Sequence, residues 1–379
     1  YPTNKLRFYV NKENVIKSGI INPSEIDKIV EYIDIDLPKN GLYKNQILML
    51  DILSKNDWKR PIYFTGGSYK DSEYIWMKDY LQLDGLVYKL VPIKTPINKE
   101  NPYQMGRLEP NRMYDIVKKW EWGNSESPLI YHDPETRKNS ISFRGNLHRL
   151  AEEFIKSGDY QKAEEIIELN FEKMPIDYFE YYSLSEPYIS SYYKIGKTEK
   201  AQELFKKLET KYLDQIKYYS ISMKNYQDTF PISDFAENIF TYTERYRGMI
   251  ENEILLGNYN FISSSIENFI NHTEVFKIIY GDYDYYMFLI NFIEPLYISQ
   301  NSKLGRDLYN KISNEIKSRL NTLLSAKEDS NSKYITDLFT DEINSAKTVL
   351  NIIEDYEDSD FYKSEIEELE KISNNFILK

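Results

Sequence analysis

Three histidines, four tryptophans and thirty-five tyrosines, with no cysteine, set what chemistry this 379-residue chain can carry. Without cysteine there are no thiolate nucleophiles, thiolate metal sites or disulfides, and both reducing and oxidising compartments stay open. His132, His148 and His272 stand far apart, without the spacing of a metal-binding pair. His132-Asp133, in the loop Tyr131–Glu135, has the composition of an acid–base couple, but Asp-Pro at its centre is more simply a turn. Phosphate-binding, nucleophile-elbow, zinc-protease and dinucleotide motifs are all absent. The chain is therefore read as non-catalytic, with no cofactor and no metal.

Binding chemistry is better supplied. The run from Trp58 to Phe64 puts a large aromatic beside two cations: Trp58, Lys59, Arg60 and Tyr63 would hold a sugar or a lipid-linked phosphate. The plainer alternative is that Trp58 anchors a corner and the cations are solvated. Trp76, Trp120 and Trp122 would give a glycan platform, in competition with core packing. Tyr181, Tyr182, Tyr188 and Tyr192, with Tyr178 and Tyr193, would line the concave face of a helical solenoid or fill its interior. So many hydroxyls must each find a partner or water.

The elements that would position these residues fall into two kinds, an α+β arrangement with a small N-terminal α/β domain ahead of an all-α array. In residues 1–140 short strand-like and helical runs alternate: a strand at Leu6–Val10, helices at Pro23–Ile33 and Asn45–Ser54, a short buried strand at Ile62–Phe64 ending at Gly66-Gly67, a helix at Glu73–Leu81, a β-rich run at Leu86–Ile93 and a helix at Asn111–Trp120. From Asn146 the 3.6-residue period takes over. Leu150, Ala151, Phe154, Gly158, Tyr160, Ala163, Ile167 and Pro175 fall at the offsets of a tetratricopeptide unit. Tyr192, Gly196, Ala201 and Phe205 repeat the pattern, and weaker copies follow at Met249–Ile270 and around Asp282–Ile312. The array is assigned to 146–325, with a Tyr-rich insertion at 211–235, and 326–379 are expected to be capping helices.

The excess of 60 acidic over 48 basic residues gives a net charge of -12, which argues against nucleic acid as a partner. Apolar windows such as Tyr285–Ile293 reach about half of the ~20 residues of a membrane helix, so no span is expected in this chain. It begins at Tyr1 without a basic-then-apolar leader, and is read as a piece of something longer.

Several ordered runs, namely Asn56–Phe64, Asp79–Pro92, Met113–Trp122, Tyr131–Lys138 and Gly145–Ala151, resemble the C-terminal soluble region of bacterial membrane proteins of the protein-O-mannosyltransferase-like (GT-C) family. The resemblance covers roughly Lys5 to Thr210. It implies a parent that moves a sugar from a lipid-linked donor to an acceptor, with its catalytic acid in a loop between the first membrane helices, and this sequence contains neither those helices nor that loop. For this chain it implies a non-catalytic accessory role on the extracytoplasmic, periplasmic face of the inner membrane. The expected partners are the membrane-embedded part of the same protein and a protein or glycan acceptor. The alternative is a free-standing tetratricopeptide-type scaffold.

Overall fold

The computed structural model describes residues 4–39, 41–65, 75–96, 105–226, 228–329 and 333–378. The expected turn at Gly66-Gly67, the first residues of the expected Glu73–Leu81 helix and the Trp76 side chain lie outside the described residues. The chain forms two compact units, Tyr1–Ala201 and Gln202–Lys379.

In the first unit, β1 (Lys5–Tyr9) pairs antiparallel with β2 (Tyr32–Asp36). Between them lie α1 (Lys12–Lys17), capped by the Asn11 side chain, and a 3-10 turn at Pro23–Lys28. The expected helix over Pro23–Ile33 therefore stops early. Ile33 and Ile35 are buried while Asp34 and Asp36 are exposed, and that two-residue alternation makes a strand of the segment. Helix α2 (Lys44–Asn56) follows and ends where Asp57 and Trp58 both adopt positive φ, 48° and 59°.

A second sheet has the order β3 (Tyr63–Thr65), β5 (Val87–Leu90), β4 (Leu81–Asp84), β6 (Arg107–Leu108). The first three strands are antiparallel neighbours and β6 runs parallel to β4. The strand expected to be buried at Ile62–Phe64 is instead the edge of this sheet, and Tyr63 is 44% exposed. The Asp79–Pro92 run is a 3-10 turn (Ile75–Tyr80) and a hairpin turning at Gly85, so the β-rich stretch at Leu86–Ile93 is only its second arm. Val15, Ile20, Ile33, Ile35, Trp58, Met77, Leu81, Leu90 and Val91 form the core here. Beside it lies a buried charge cluster. Asp84 accepts from Gln82 (2.8 Å) and Arg112 (2.9 Å), and the buried Lys89 ammonium is 2.9 Å from it. Arg107 bridges Glu25 and Gln82.

Helix α3 (Pro110–Val117) leads to the helical part: α4 (Pro134–Ser157), α5 (Tyr160–Lys173), α6 (Ile176–Phe179), α7 (Pro187–Lys194) and α8 (Thr198–Tyr226). At Gly158, φ is 80°: its N–H caps the Ile155 carbonyl, and the left-handed conformation reverses the chain within one residue. Gly196 and Gly257 occupy the same place in later hairpins. Leu150, Ala151, Phe154, Ala163 and Ile167 are all buried at the α4/α5 seam.

The second unit contains α9 (Ile232–Leu255), α10 (Tyr259–His272), α11 (Phe276–Tyr280), α12 (Asp282–Leu289), α13 (Ile293–Ile298), α14 (Ser302–Asp329), α15 (Lys333–Ile352) and α16 (Ser359–Leu378). The stretch 211–235, read as an insertion, is helical to Tyr226 and again from Ile232, so the Tyr-rich run lengthens two helices. The tyrosine content has a structural outlet, because phenol hydroxyls donate to glutamates on neighbouring helices. Examples are Tyr192 to Glu168 (2.9 Å) in the first unit, and Tyr246 to Glu209, Tyr283 to Glu342 (2.8 Å) and Tyr309 to Glu365 (2.8 Å) in the second.

Candidate functional site

Within the first unit, one concavity combines size with convergent polar groups: a cavity of about 440 Å³ lined by residues from 86 to 179, among them Trp120, Trp122, His132, Asn139, Phe143 and Phe179. Its near wall begins where α3 ends. Lys118, Lys119 and Trp120 donate their backbone N–H groups to carbonyls of the last helical turn, drawing the chain tight, and Gly123 and Asn124 (φ 59° and 60°) turn it back just after Trp122. Ser125 Oγ donates to the Lys173 carbonyl (2.6 Å), and Lys173 pairs with Glu126 (3.0 Å), tying this loop to the end of α5.

The opposite wall comes from α4. Asp133 caps the helix, accepting from the Glu135 and Thr136 N–H groups and the Thr136 hydroxyl, and these bonds hold its carboxyl below the usual range. Asp133 is thus occupied as a cap, the turn role its place before Pro134 suggested. From this start, Thr136, Asn139, Ser140 and Phe143 follow at helical spacing along the cavity side. Phe143 meets Trp120 at 5.2 Å and Trp122 at 5.5 Å, and the two indoles meet each other edge-on at 5.5 Å and 70°. They form a corner of aromatic faces, not one flat platform.

His132 closes the site. Its ring packs on Phe179 (4.6 Å) and stacks at 6.2 Å on Tyr178, leaving the residue 9% exposed. Its Nε2 is buried without a hydrogen-bond partner in the protein. Met174, at the cavity floor, is fastened from behind by Arg144, a fully buried guanidinium that donates to the Met174 carbonyl (2.5 Å) and to Ser185 Oγ (3.1 Å). Burial pulls this guanidinium down to about 10.

The residues singled out from sequence do not converge. Trp58 is 8% exposed and its indole N–H donates to the Tyr9 carbonyl (3.1 Å); the space beside it is about 20 Å³, room for a single water. Trp58 is therefore the corner anchor, not a ligand platform. Lys59 is exposed and lies 3.6 Å from Asp57, Arg60 is exposed, and Tyr63 stands on the sheet edge. Tyr188 is fully buried, donating to the Arg144 carbonyl (2.8 Å), and Tyr192 is 5% exposed with its hydroxyl on Glu168, so neither can line an open groove. Tyr182 is half-buried and Tyr181, at φ 46°, is 38% exposed. Sequence reading named Trp120, Trp122 and His132 but not their meeting, and it missed Asn139, Phe143 and Phe179. A signal existed in α4: the stripe that is apolar at Phe143, Leu147, Leu150 and Phe154 begins with polar Thr136, Asn139 and Ser140, as a helix lining a wet site would.

Among the described residues, no group of three or more His, Asp or Glu could hold a metal ion, and no helix is long and apolar enough to cross a membrane. Against known proteins, the family model described as TMEM260-associated domain 2 matches residues 1–112, less than half of the chain. No curated protein matches. Among solved structures, a circular tandem repeat protein with novel repeat topology and enhanced subunit contact surfaces is 14% identical at a TM-score of 0.28. The alignment covers 70% of this chain and 62% of that one, so the chain spans less than two thirds of its length. A superposition this loose leaves the fold to be read from the chain itself. The family match links the N-terminal α/β part to a domain associated with a membrane-protein family.

Proposed function

We propose that this chain is a non-catalytic accessory region of a membrane-bound, glycosyltransferase-like protein on the extracytoplasmic, periplasmic side of the inner membrane, where it engages an acceptor or partner. The observation that carries this reading is the match of residues 1–112 to a domain associated with a membrane-protein family. The protein-O-mannosyltransferase-like resemblance adds that the parent moves a sugar from a lipid-linked donor. The aromatic cavity supports acceptor binding in this chain, because it offers faces and hydrogen-bonding groups without a nucleophile–base pair. The glycine-turned hairpins at Gly158 and Gly196, 38 residues apart (196 − 158), support reading the array as tetratricopeptide-like.

Fractionation of the source cells with an antibody against this chain tests the proposal. A membrane-bound band much heavier than 45.2 kDa is the expected result. A soluble band at that mass would overturn it and favour the second reading, a free-standing interaction scaffold, which the helical array supports by itself.

A further inference from the structure

We propose that the aromatic cavity is a carbohydrate site that takes one or two pyranose rings of a neutral glycan. This names the ligand class for the acceptor reading above, and its chemistry stands whether or not the chain is membrane-attached.

Size comes first. A cavity of about 440 Å³ falls within the ~300–1,000 Å³ of small-molecule sites, which are apolar-walled with a few placed polar groups. The walls then select the kind of molecule. Trp120, Trp122 and Phe143 line it with rings set at angles to one another, and a sugar ring can lay its C–H face on one such ring while its edge abuts the next. The polar groups select further. The His132 ring also borders the cavity, but its Nε2 exposes no surface to it, so this side chain serves the site as a ring edge and the polar contacts come from elsewhere. Glu121 and Asn139 line the cavity and are exposed to its solvent side. Thr136, which is exposed, donates its own hydroxyl proton to Asp133, so towards a ligand it acts as an acceptor, while Ser140 is buried with its hydroxyl on the Arg137 carbonyl. Acceptors of this kind suit hydroxyl donors.

Charge excludes the main competitor. The lining contains no lysine or arginine and one glutamate, so a phosphate or carboxylate ligand has no cation to meet. A wholly apolar ligand would strip water from Glu121, Thr136 and Asn139 without replacing its hydrogen bonds. A neutral, hydroxyl-rich molecule with one apolar face answers both walls and polar groups.

The test is isothermal titration calorimetry of the full chain with methyl pyranosides of glucose, galactose, mannose and N-acetylglucosamine and with their linked disaccharides, up to about 10 mM. At least one should bind. Trp122→Ala should weaken binding about tenfold, and Asn139→Ala, at an exposed helix position, about threefold. Should Trp122→Ala melt early, the Asn139→Ala loss decides by itself. Absence of binding by every saccharide, or an affinity unchanged in Asn139→Ala, would overturn the proposal. So would saturable binding of an apolar probe, N-acetyl-tryptophanamide, with which no saccharide competes. The fractionation result is independent of all these outcomes, so failure of the sugar site and failure of the membrane reading are told apart.

Discussion

The α/β part and the helical part both surround buried or half-buried carboxylates, but they meet them differently. Around the second sheet the partners are cations: Lys89 and Arg112 on Asp84, Arg107 on Glu25. In the helical part phenols join or replace them. Tyr192 shares Glu168 with Lys200, Tyr309 shares Glu365 with Lys317, and Tyr246 shares Glu209 with Lys206. A phenol brings a neutral donor and a large apolar body in one side chain, so it bridges two helices without adding another desolvated charge. The difference explains how a chain with 35 tyrosines and a net charge of -12 packs its helices, and it gives the two parts opposite sensitivities to pH.

The largest expected effect comes from separating the parts of the first unit. Arg149 donates to the Met105 and Gly106 carbonyls, Asn146 to the Gly85 carbonyl, and Tyr114 to Glu165. Residues 134–379 expressed alone, with α4 whole, should therefore lose cooperative melting of the α4/α5 hairpin, and a fragment that melts like the intact chain would make the division ahead of α4 a true domain boundary. Next, Asp84→Asn leaves Lys89 and Arg112 without their carboxylate. It should cost about 3–5 kcal/mol by urea unfolding, against about 1–3 kcal/mol for Tyr246→Phe, which removes one neutral donor from Glu209. Equal costs would erase the contrast between the two kinds of pairing.

The pH predictions are smaller and run in opposite directions. Burial pushes the Glu25 carboxyl up, but hydrogen bonds from Arg107 and Lys28 outweigh it and hold it below its usual 4.5. Its stabilisation is complete above that value and is lost as pH falls through the lowered one. All four tryptophans lie within the first 122 residues, so their fluorescence should report this acid loosening before helical circular dichroism does. In the helical part, burial raises Tyr285 from 10.0 to about 12. Below pH 10 the phenol is protonated in both states, and above it the unfolded chain ionises first, so stability is lost as pH rises towards 12. Lys89 works against this in the α/β part, because burial lowers its ammonium. Between the lowered value and 10.5 the unfolded chain binds more protons, and stability rises with pH. Alkaline titration followed by circular dichroism should therefore show helix loss ahead of the tryptophan signal.

Local patterns carried much of the fold. Gly158, Gly196 and Gly257 each stand where a helix must reverse, and Ala151 and Ala163 where two helices approach, so spacing alone marked the hairpins. Asp133-Pro134 likewise read as a turn and is a helix cap, a role that depends only on neighbours in sequence. The 23–33 stretch went wrong because its apolar spacing fits a helix as well as a turn followed by a strand, and pairing with β1 decides between them.

The sequence by itself determined the order of a mixed α/β part and a helical array, the hairpin turns, and the chemical types available for binding, because each depends on residues a few positions apart. Only the tertiary structure decided which aromatics face open space. Trp58, Tyr188 and Tyr192 went into cores, where a backbone carbonyl or a glutamate satisfies their polar atoms, while Trp120, Trp122, His132 and Phe143, from one loop and one helix, closed around a cavity. Burial is a property of the whole packed surface, and no local spacing rule contains it.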